Sequence, residues 1–198
     1  MSCNEKDISL IGFMGCGKSS VGKILASLLP DCHLIDLDTY IEEKQGKIIP
    51  EIFNEYGEAA FRRMEREALE EIFSDPDRPR AILSLGGGTV TSGQCRQLIR
   101  RHTDCFYLRA TTDTLLSNLE GHSEGRPMLN PTQPVEAQST ETSSEREALR
   151  HRIESLMQTR SPQYLATAHH IIDIDGLSFA QIAEIIKEAV EANSLNIK

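Results

Sequence analysis

Apolar residues fall along this chain in two alternating rhythms. Ile8 to Phe13 is a short continuous run that ends in a glycine-rich turn, and Val21, Leu25, Leu28 and Leu29 then follow at helical spacing up to Pro30. The pattern predicts strand, loop, helix. A second short strand, His33 to Asp36, precedes two helical stretches, Thr39 to Lys44 and Pro50 to Tyr56, with Ile52 and Phe53 on the apolar side of the latter. Gly57 punctuates before a long helix over Ala59 to Phe73, which the turn-forming SDPDRP closes, and Arg80 to Leu85 returns to strand. Beyond the triple glycine at Gly86 to Gly88 the spacing predicts a helix at Ser92 to Arg101, a strand at Cys105 to Leu108 and a helix from Thr112 to about Leu119.

From Gly121 to Ser144 the chain turns to Gly, Ser, Thr, Pro and Glu, a composition expected of a mobile surface segment. A helix over Glu145 to Thr159, a separate short helix around Tyr164, a strand at Ile171 to Ile174 and a closing helix from Ser178 to Ala192 complete the reading. In the closing helix Phe179, Ile182, Ile185, Ile186 and Val190 form one stripe expected to be buried against a sheet. Five short strands separated by helices imply one α/β domain with a parallel sheet covered on both faces, since parallel strands need long crossovers. Ligands of such sheets bind beyond the carboxyl ends of the strands. The glycine-rich turns and the aspartates all lie at strand ends, so they are expected to share a cleft.

Composition narrows the function. The chain has 198 residues, 39% hydrophobic and 26% charged, with 30 acidic against 21 basic side chains and a formal charge of −9. That balance argues against a broad footprint for nucleic acid or an anionic membrane, and the absence of Trp leaves few aromatics for stacking on single strands. Any anion site has to be local. No apolar run approaches the length of a membrane helix, and MSCNEKDIS is too polar for a secretory signal, so a cytoplasmic location is expected. Five widely spaced cysteines without a CxxC pair argue against a disulfide framework and a thiolate zinc site, and fit a reducing compartment. His169 and His170 have no partner at metal-ligand spacing and are expected to be structural.

The sharpest chemical signal is GFMGCGKS, where Gly12, Gly17, Lys18 and Ser19 satisfy the GxxxxGK[ST] pattern at a strand-to-helix junction. Glycines let the backbone approach an anion, the helix start adds its dipole, Lys18 reaches terminal phosphates and Ser19 can bind Mg2+. Asp36 and Asp38 stand two apart at the end of the second strand, so in extended geometry both carboxylates point to one side, one near the ion and one toward a substrate hydroxyl. The competing reading makes Asp38 a helix cap. Arg62 and Glu65 share a helical face at i, i+3, which would fix the guanidinium for a carboxylate; the competing reading is a solvated Arg/Glu helix face. Gly86, Gly87 and Gly88 either leave bare backbone for a small polar ligand or make a plain flexible turn, and Arg126, in RPML, falls in the mobile segment, from which lid closure would bring a cation onto a transferring phosphoryl group.

Taken in order, GFMGCGKSSVGK, LIDLD, FRRME, LGGGTV, RPML and RSPQY resemble the motif set of the shikimate kinases across nearly the whole chain. The resemblance implies a three-layer P-loop kinase fold with five parallel strands, helices on both faces and a mobile lid. It also implies ATP and Mg2+ as cofactors, and transfer of the γ-phosphoryl group to the 3-hydroxyl of shikimate in aromatic amino-acid biosynthesis. ATP would be held by Gly12, Met14, Gly15, Cys16, Gly17, Lys18, Ser19 and Ser20, with Arg126 as lid arginine. Ser19 would ligate the metal and Asp36 reach it through water. Asp38 would bind the substrate hydroxyls, and Arg62, supported by Glu65, and Arg160 would clamp the carboxylate over Gly86 to Gly88. Residues of about 36–74 would form the substrate-binding region, those of about 112–144 the lid with its extension, and the protein would act as a monomer on a small molecule. Two rivals remain: a kinase of another small acid, such as gluconate, and a non-catalytic nucleotide switch.

The chain departs from the pattern in three places. Asn118 stands where these kinases commonly carry an adenine-stacking Arg, residues 130–144 make a longer polar connection than usual, and Cys16 lies inside the P-loop. A thiol near Lys18 and a helix start is expected to be reactive, so thiol reagents are expected to inactivate.

Overall fold

A computed structural model describes residues 6–119 and 141–195. Five strands, β1 (Asp7–Ile11), β2 (Cys32–Asp36), β3 (Arg80–Ser84), β4 (Thr103–Arg109) and β5 (His170–Asp173), form one sheet in the order β2-β3-β1-β4-β5. Every pairing is parallel, as the long helical crossovers require. The helices are α1 (Lys18–Leu28), α2 (Leu37–Gln45), α3 (Ile49–Ser74), α4 (Gly93–His102), α5 (Thr112–Leu119), α6 (Glu141–Thr167) and α7 (Phe179–Leu195).

The strands read as continuous apolar runs because both faces are buried. Ile8, Leu10, Ile82, Phe106 and Leu108 point into one core with Val21 and Leu25 of α1 and Ile182 and Ile186 of α7. Ile11, Leu83, Cys105 and Tyr107 point into the other, against Leu69 of α3, Ile99 of α4 and Tyr164 of α6. The three layers, α/β/α, are those expected. His169 accepts a hydrogen bond from the Cys105 N–H at Nδ1, and His170 stacks on Phe106, so both histidines serve packing.

Three expectations are corrected. The two predicted helices at 145–159 and around Tyr164 are one helix, α6, which begins at Glu141 and runs through Pro162. Pro162 withholds one N–H from the carbonyl four residues back, but Gln158 is exposed, so water can serve that oxygen. Residues 141–144, expected in a mobile segment, are helical; the rest of that segment down to residue 121, with Arg126, lies outside the described residues. In α7, Ile182, Ile186 and Val190 are buried, but Phe179 is 41% and Ile185 40% exposed, so the stripe is narrower than predicted. Gly57 does interrupt α3, at φ 76° and ψ 169°, a backbone state that side chains other than glycine rarely adopt.

Candidate functional site

A cleft of about 600 Å³ opens at the carboxyl ends of the strands. It is lined by Met14, Gly15, Gly17, Lys18, Ser19, Ser20, Asp36, Asp38, Arg62, Glu65, Gly86, Gly87, Gly88 and Arg160. Most of the predicted site thus converges. Gly12 and Cys16 do not line the cleft: Gly12 supports the P-loop from below, and Cys16 is fully buried in the core on the α1 side. A Cβ on Gly12 would stand 2.8 Å from the Cys16 Sγ, which shows how tightly the thiol is enclosed. The expectation of a reagent-sensitive Cys16 is therefore corrected, because the residue is fully buried.

The P-loop connects β1 to α1, with Gly12, Gly15 and Gly17 all at positive φ. Gly17, at φ 90° and ψ 15°, is the residue before the first turn of α1, so the free N–H groups of that turn face the cleft. Lys18 donates from Nζ to the carbonyls of Gly12 (2.8 Å) and Phe13 (3.1 Å), which holds the buried ammonium inside the loop.

Asp36 and Asp38 converge for a reason other than strand alternation. Asp36 caps α2: its Oδ1 accepts from the backbone N–H groups of Asp38 (3.2 Å) and Thr39 (3.5 Å). Asp38 already belongs to the helix, so it is the turn of the backbone that swings its carboxylate into the cleft. The capping role considered for Asp38 belongs to Asp36. The other Asp36 oxygen, Oδ2, accepts from the Ser19 hydroxyl at 2.7 Å, and the Ser84 hydroxyl lies 3.2 Å from that of Ser19. Sequence reasoning missed Ser84; the parallel register that pairs Asp36 with Ser84 brings it there. These three oxygen-bearing side chains are the hard donors Mg2+ prefers, so the residues fit that ion.

Asp38 is the electrostatic centre. Burial, reinforced by the negative charges of Glu65 and Asp36, pushes its carboxyl up to about 7. Its buried Oδ1 has no hydrogen-bond partner among the described residues, an arrangement costly to the fold unless a ligand completes it. Glu65 is fully buried and accepts from Arg62 (Nη1, 2.6 Å) and from the Thr89 hydroxyl. Burial raises the Glu65 carboxyl, against the opposing pull of Arg62, Thr89 and Arg160. Arg62 is also held by Glu58 at 3.0 Å, so the i, i+3 pair foreseen is a three-residue brace that fixes the guanidinium. Its head lies against Gly88, where a Cβ would come within 2.3 Å.

Arg160 projects from α6 and is 4% exposed, its guanidinium 5.9 Å from the Phe13 ring centroid. The Tyr164 hydroxyl, one turn on, donates to the Gly87 carbonyl and ties α6 to the glycine loop. Asn118 donates from its amide to the Gly15 carbonyl at 2.9 Å, and Phe53, Phe61 and Phe179 complete the walls. No helix among the described residues is long and apolar enough to cross a membrane.

Residues 14–191 match the family model described as shikimate kinase. A shikimate kinase of Thermus thermophilus is 36% identical over 184 residues, covering 93% of this chain and 88% of its own. One of Chlorobaculum tepidum is 40% identical over 158 residues, covering 80% and 76%. Among solved structures, the shikimate kinase of Acinetobacter baumannii in complex with shikimate superimposes with a TM-score of 0.79 at 29% identity, covering 96% of this chain and 95% of the other.

Proposed function

This chain belongs to the shikimate kinase family and phosphorylates shikimate with ATP, and we propose that the cleft divides the work between a phosphate wall and an acceptor wall. On the phosphate wall, the N–H groups of the P-loop and the first turn of α1 surround the phosphates of ATP. Lys18 exchanges its carbonyl partners for the β- and γ-phosphates. Ser19 and, through water, Asp36 would hold Mg2+, with Ser84 beside them, and the ion would supply positive charge toward the transferring group.

On the acceptor wall, Arg62 and Arg160 bind the substrate carboxylate, where paired guanidiniums both neutralise and orient it. Gly86 to Gly88 bring bare backbone against the ring. Asp38 accepts a hydrogen bond from the 3-hydroxyl, aligns it with the γ-phosphorus and takes its proton as the new ester bond forms and the bond from the γ-phosphorus to the β–γ bridging oxygen breaks, with ADP as the leaving group. With its carboxyl near 7, Asp38 is matched to that exchange at neutral pH. The loose transition state demands little of a base, so alignment is its larger contribution. Arg126 closes over the phosphoryl group as lid arginine, a role resting on its RPML motif. Residues of about 36–74 serve as the substrate-binding region and those of about 112–144 as the lid with its extension, within one domain. The enzyme acts as a monomer in the cytoplasm, on a small molecule and not on nucleic acid or membrane.

The observation that carries this reading is the buried, unpartnered Asp38 oxygen, in the same cleft as Lys18, Arg62 and Arg160. The test is coupled ADP release with ATP and Mg2+, comparing shikimate, quinate and gluconate with a no-acceptor control. Turnover with shikimate far above the others is expected; equal or greater turnover with gluconate, or none dependent on an acceptor, refutes it.

A further inference from the structure

Tyr164 follows Arg160 by one helical turn in RSPQY. Its ring is fully buried and stacked on that of Tyr107, with centroids 4.9 Å apart, and packing accounts for the ring. Packing does not account for the hydroxyl, which donates to the carbonyl of Gly87 in the wall of the cleft. Burial raises the phenol above its ordinary value, against the pull of the Arg160 charge, so the group keeps its proton and stays a donor.

Three consecutive glycines make a backbone with little conformational preference of its own. Two of their carbonyls are held within the loop. Gly86 accepts from the Thr89 N–H at 3.1 Å, and Gly88 accepts from the Thr91 N–H at 2.9 Å and the Thr91 hydroxyl at 2.7 Å. The middle carbonyl, that of Gly87, is held by Tyr164 and by no other donor among the described residues. The N–H groups of the three glycines have no acceptor among the described residues, so they are the donors this wall offers a ligand. In a trans peptide the carbonyl and the N–H point opposite ways, so a Gly87 oxygen drawn toward α6 turns the Gly88 N–H away from that helix. Gly87 also lies against the P-loop, where a Cβ would stand 3.2 Å from the Met14 nitrogen and 3.6 Å from the Gly12 carbonyl oxygen. The anchored peptide sits where the phosphate and acceptor walls meet.

Resting on the assignment of the glycine loop to the acceptor wall, we propose that Tyr164 is a positioning residue for the phosphoryl acceptor: its hydroxyl fixes the plane of the Gly87–Gly88 peptide, so that the loop presents its N–H groups to shikimate in one orientation. Donors ordered before binding lose less entropy when the ligand arrives. Arg160 and Tyr164 lie four residues apart on one face of α6, so a single helix delivers both a guanidinium for the carboxylate and the anchor of the loop.

Tyr164→Phe keeps the buried ring and removes the anchor. Its shikimate KM is expected to rise about tenfold, as for a donor turned from its partner, while the ATP KM stays within about twofold of the parent. Ser9→Ala removes an equally buried hydroxyl outside the cleft, the one that pairs with Thr103, and is expected to melt lower with both KM values unchanged. In protein carrying isotope-labelled glycine, the amide signals of Gly86 to Gly88 are expected to move when shikimate is added to the parent. A shikimate KM within about twofold of the parent in Tyr164→Phe, or equal rises in both KM values, would overturn the proposal. So would a Tyr164→Phe protein that does not fold, because the hydroxyl would then be structural. If shikimate leaves the three glycine signals of the parent unmoved, the assignment of the loop to the acceptor wall falls and the proposal with it.

Discussion

Adding one methyl group at Gly88 tests the acceptor wall without touching a charged residue. Gly88 has φ −105° and ψ −7°, which alanine adopts without strain, so the backbone gives no reason for misfolding. The new Cβ, however, would stand 2.3 Å from Arg62 Nη2 and 2.6 Å from its Cζ, against at least 3.4 Å for ordinary contact. The guanidinium has to retreat by about 1 Å. It cannot do so freely, because Glu65 holds it at 2.6 Å and Glu58 at 3.0 Å. A hydrogen bond to a charged group contributes roughly 1.5–3 kcal/mol, so a misdirected Arg62 is expected to raise the shikimate KM by about ten- to hundredfold. The ATP KM is expected to stay near the parent value, since the P-loop contacts lie on the other wall. Steady-state kinetics with each substrate varied in turn gives both numbers. Gly93→Ala, whose Cβ would meet nothing nearer than 3.6 Å, is the control. A shikimate KM within about twofold of the parent in a folded Gly88→Ala protein would refute the clamp assignment.

Two further perturbations probe buried groups. The Asp38 carboxyl stands near 7 in the fold against 3.8 unfolded, so the folded state binds the extra proton and this group's contribution to stability falls as pH rises through that window. Asp38→Asn is therefore expected to melt above the parent at pH 8, with the gap closing toward pH 4, and to lose about 10²-fold in kcat; equal melting temperatures at pH 8 would show that the carboxylate is not strained there. Cys16, fully buried, is expected to resist bulky thiol reagents in the native protein and to react on unfolding; mass spectrometry showing equal labelling rates in buffer and in urea would contradict its enclosure.

The residues that chemistry constrains most tightly were the most legible. The P-loop could be read because phosphate binding demands glycine, lysine and serine at fixed spacing, and Arg62 with Glu65 because one helical turn fixes their relation. Asp38 does line the cleft, but not by strand alternation: alternation along β2 stops at Asp36, whose side chain begins a helix, and a cap two residues earlier than expected is beyond what hydrophobic period can resolve. Ser84 was invisible because a serine is chemically ordinary until strand register sets it beside Ser19. Phe179 was read as core because it shares a helical stripe with buried neighbours, yet a stripe's first member can overhang the end of the sheet. The two helices expected at 145–159 and around Tyr164 are one, since the burial of Ile153 and Tyr164 along α6 outweighs the hydrogen bond lost at Pro162.

Asp36 has a consequence for how damage at this locus would look to a geneticist. One oxygen starts α2 and the other holds Ser19, so an alanine there lowers both the amount of folded protein and the rate of each molecule. A stabilising suppressor elsewhere would restore abundance and leave the rate low, while Asn, able to keep the cap but not the charge, would separate the two losses in a single allele.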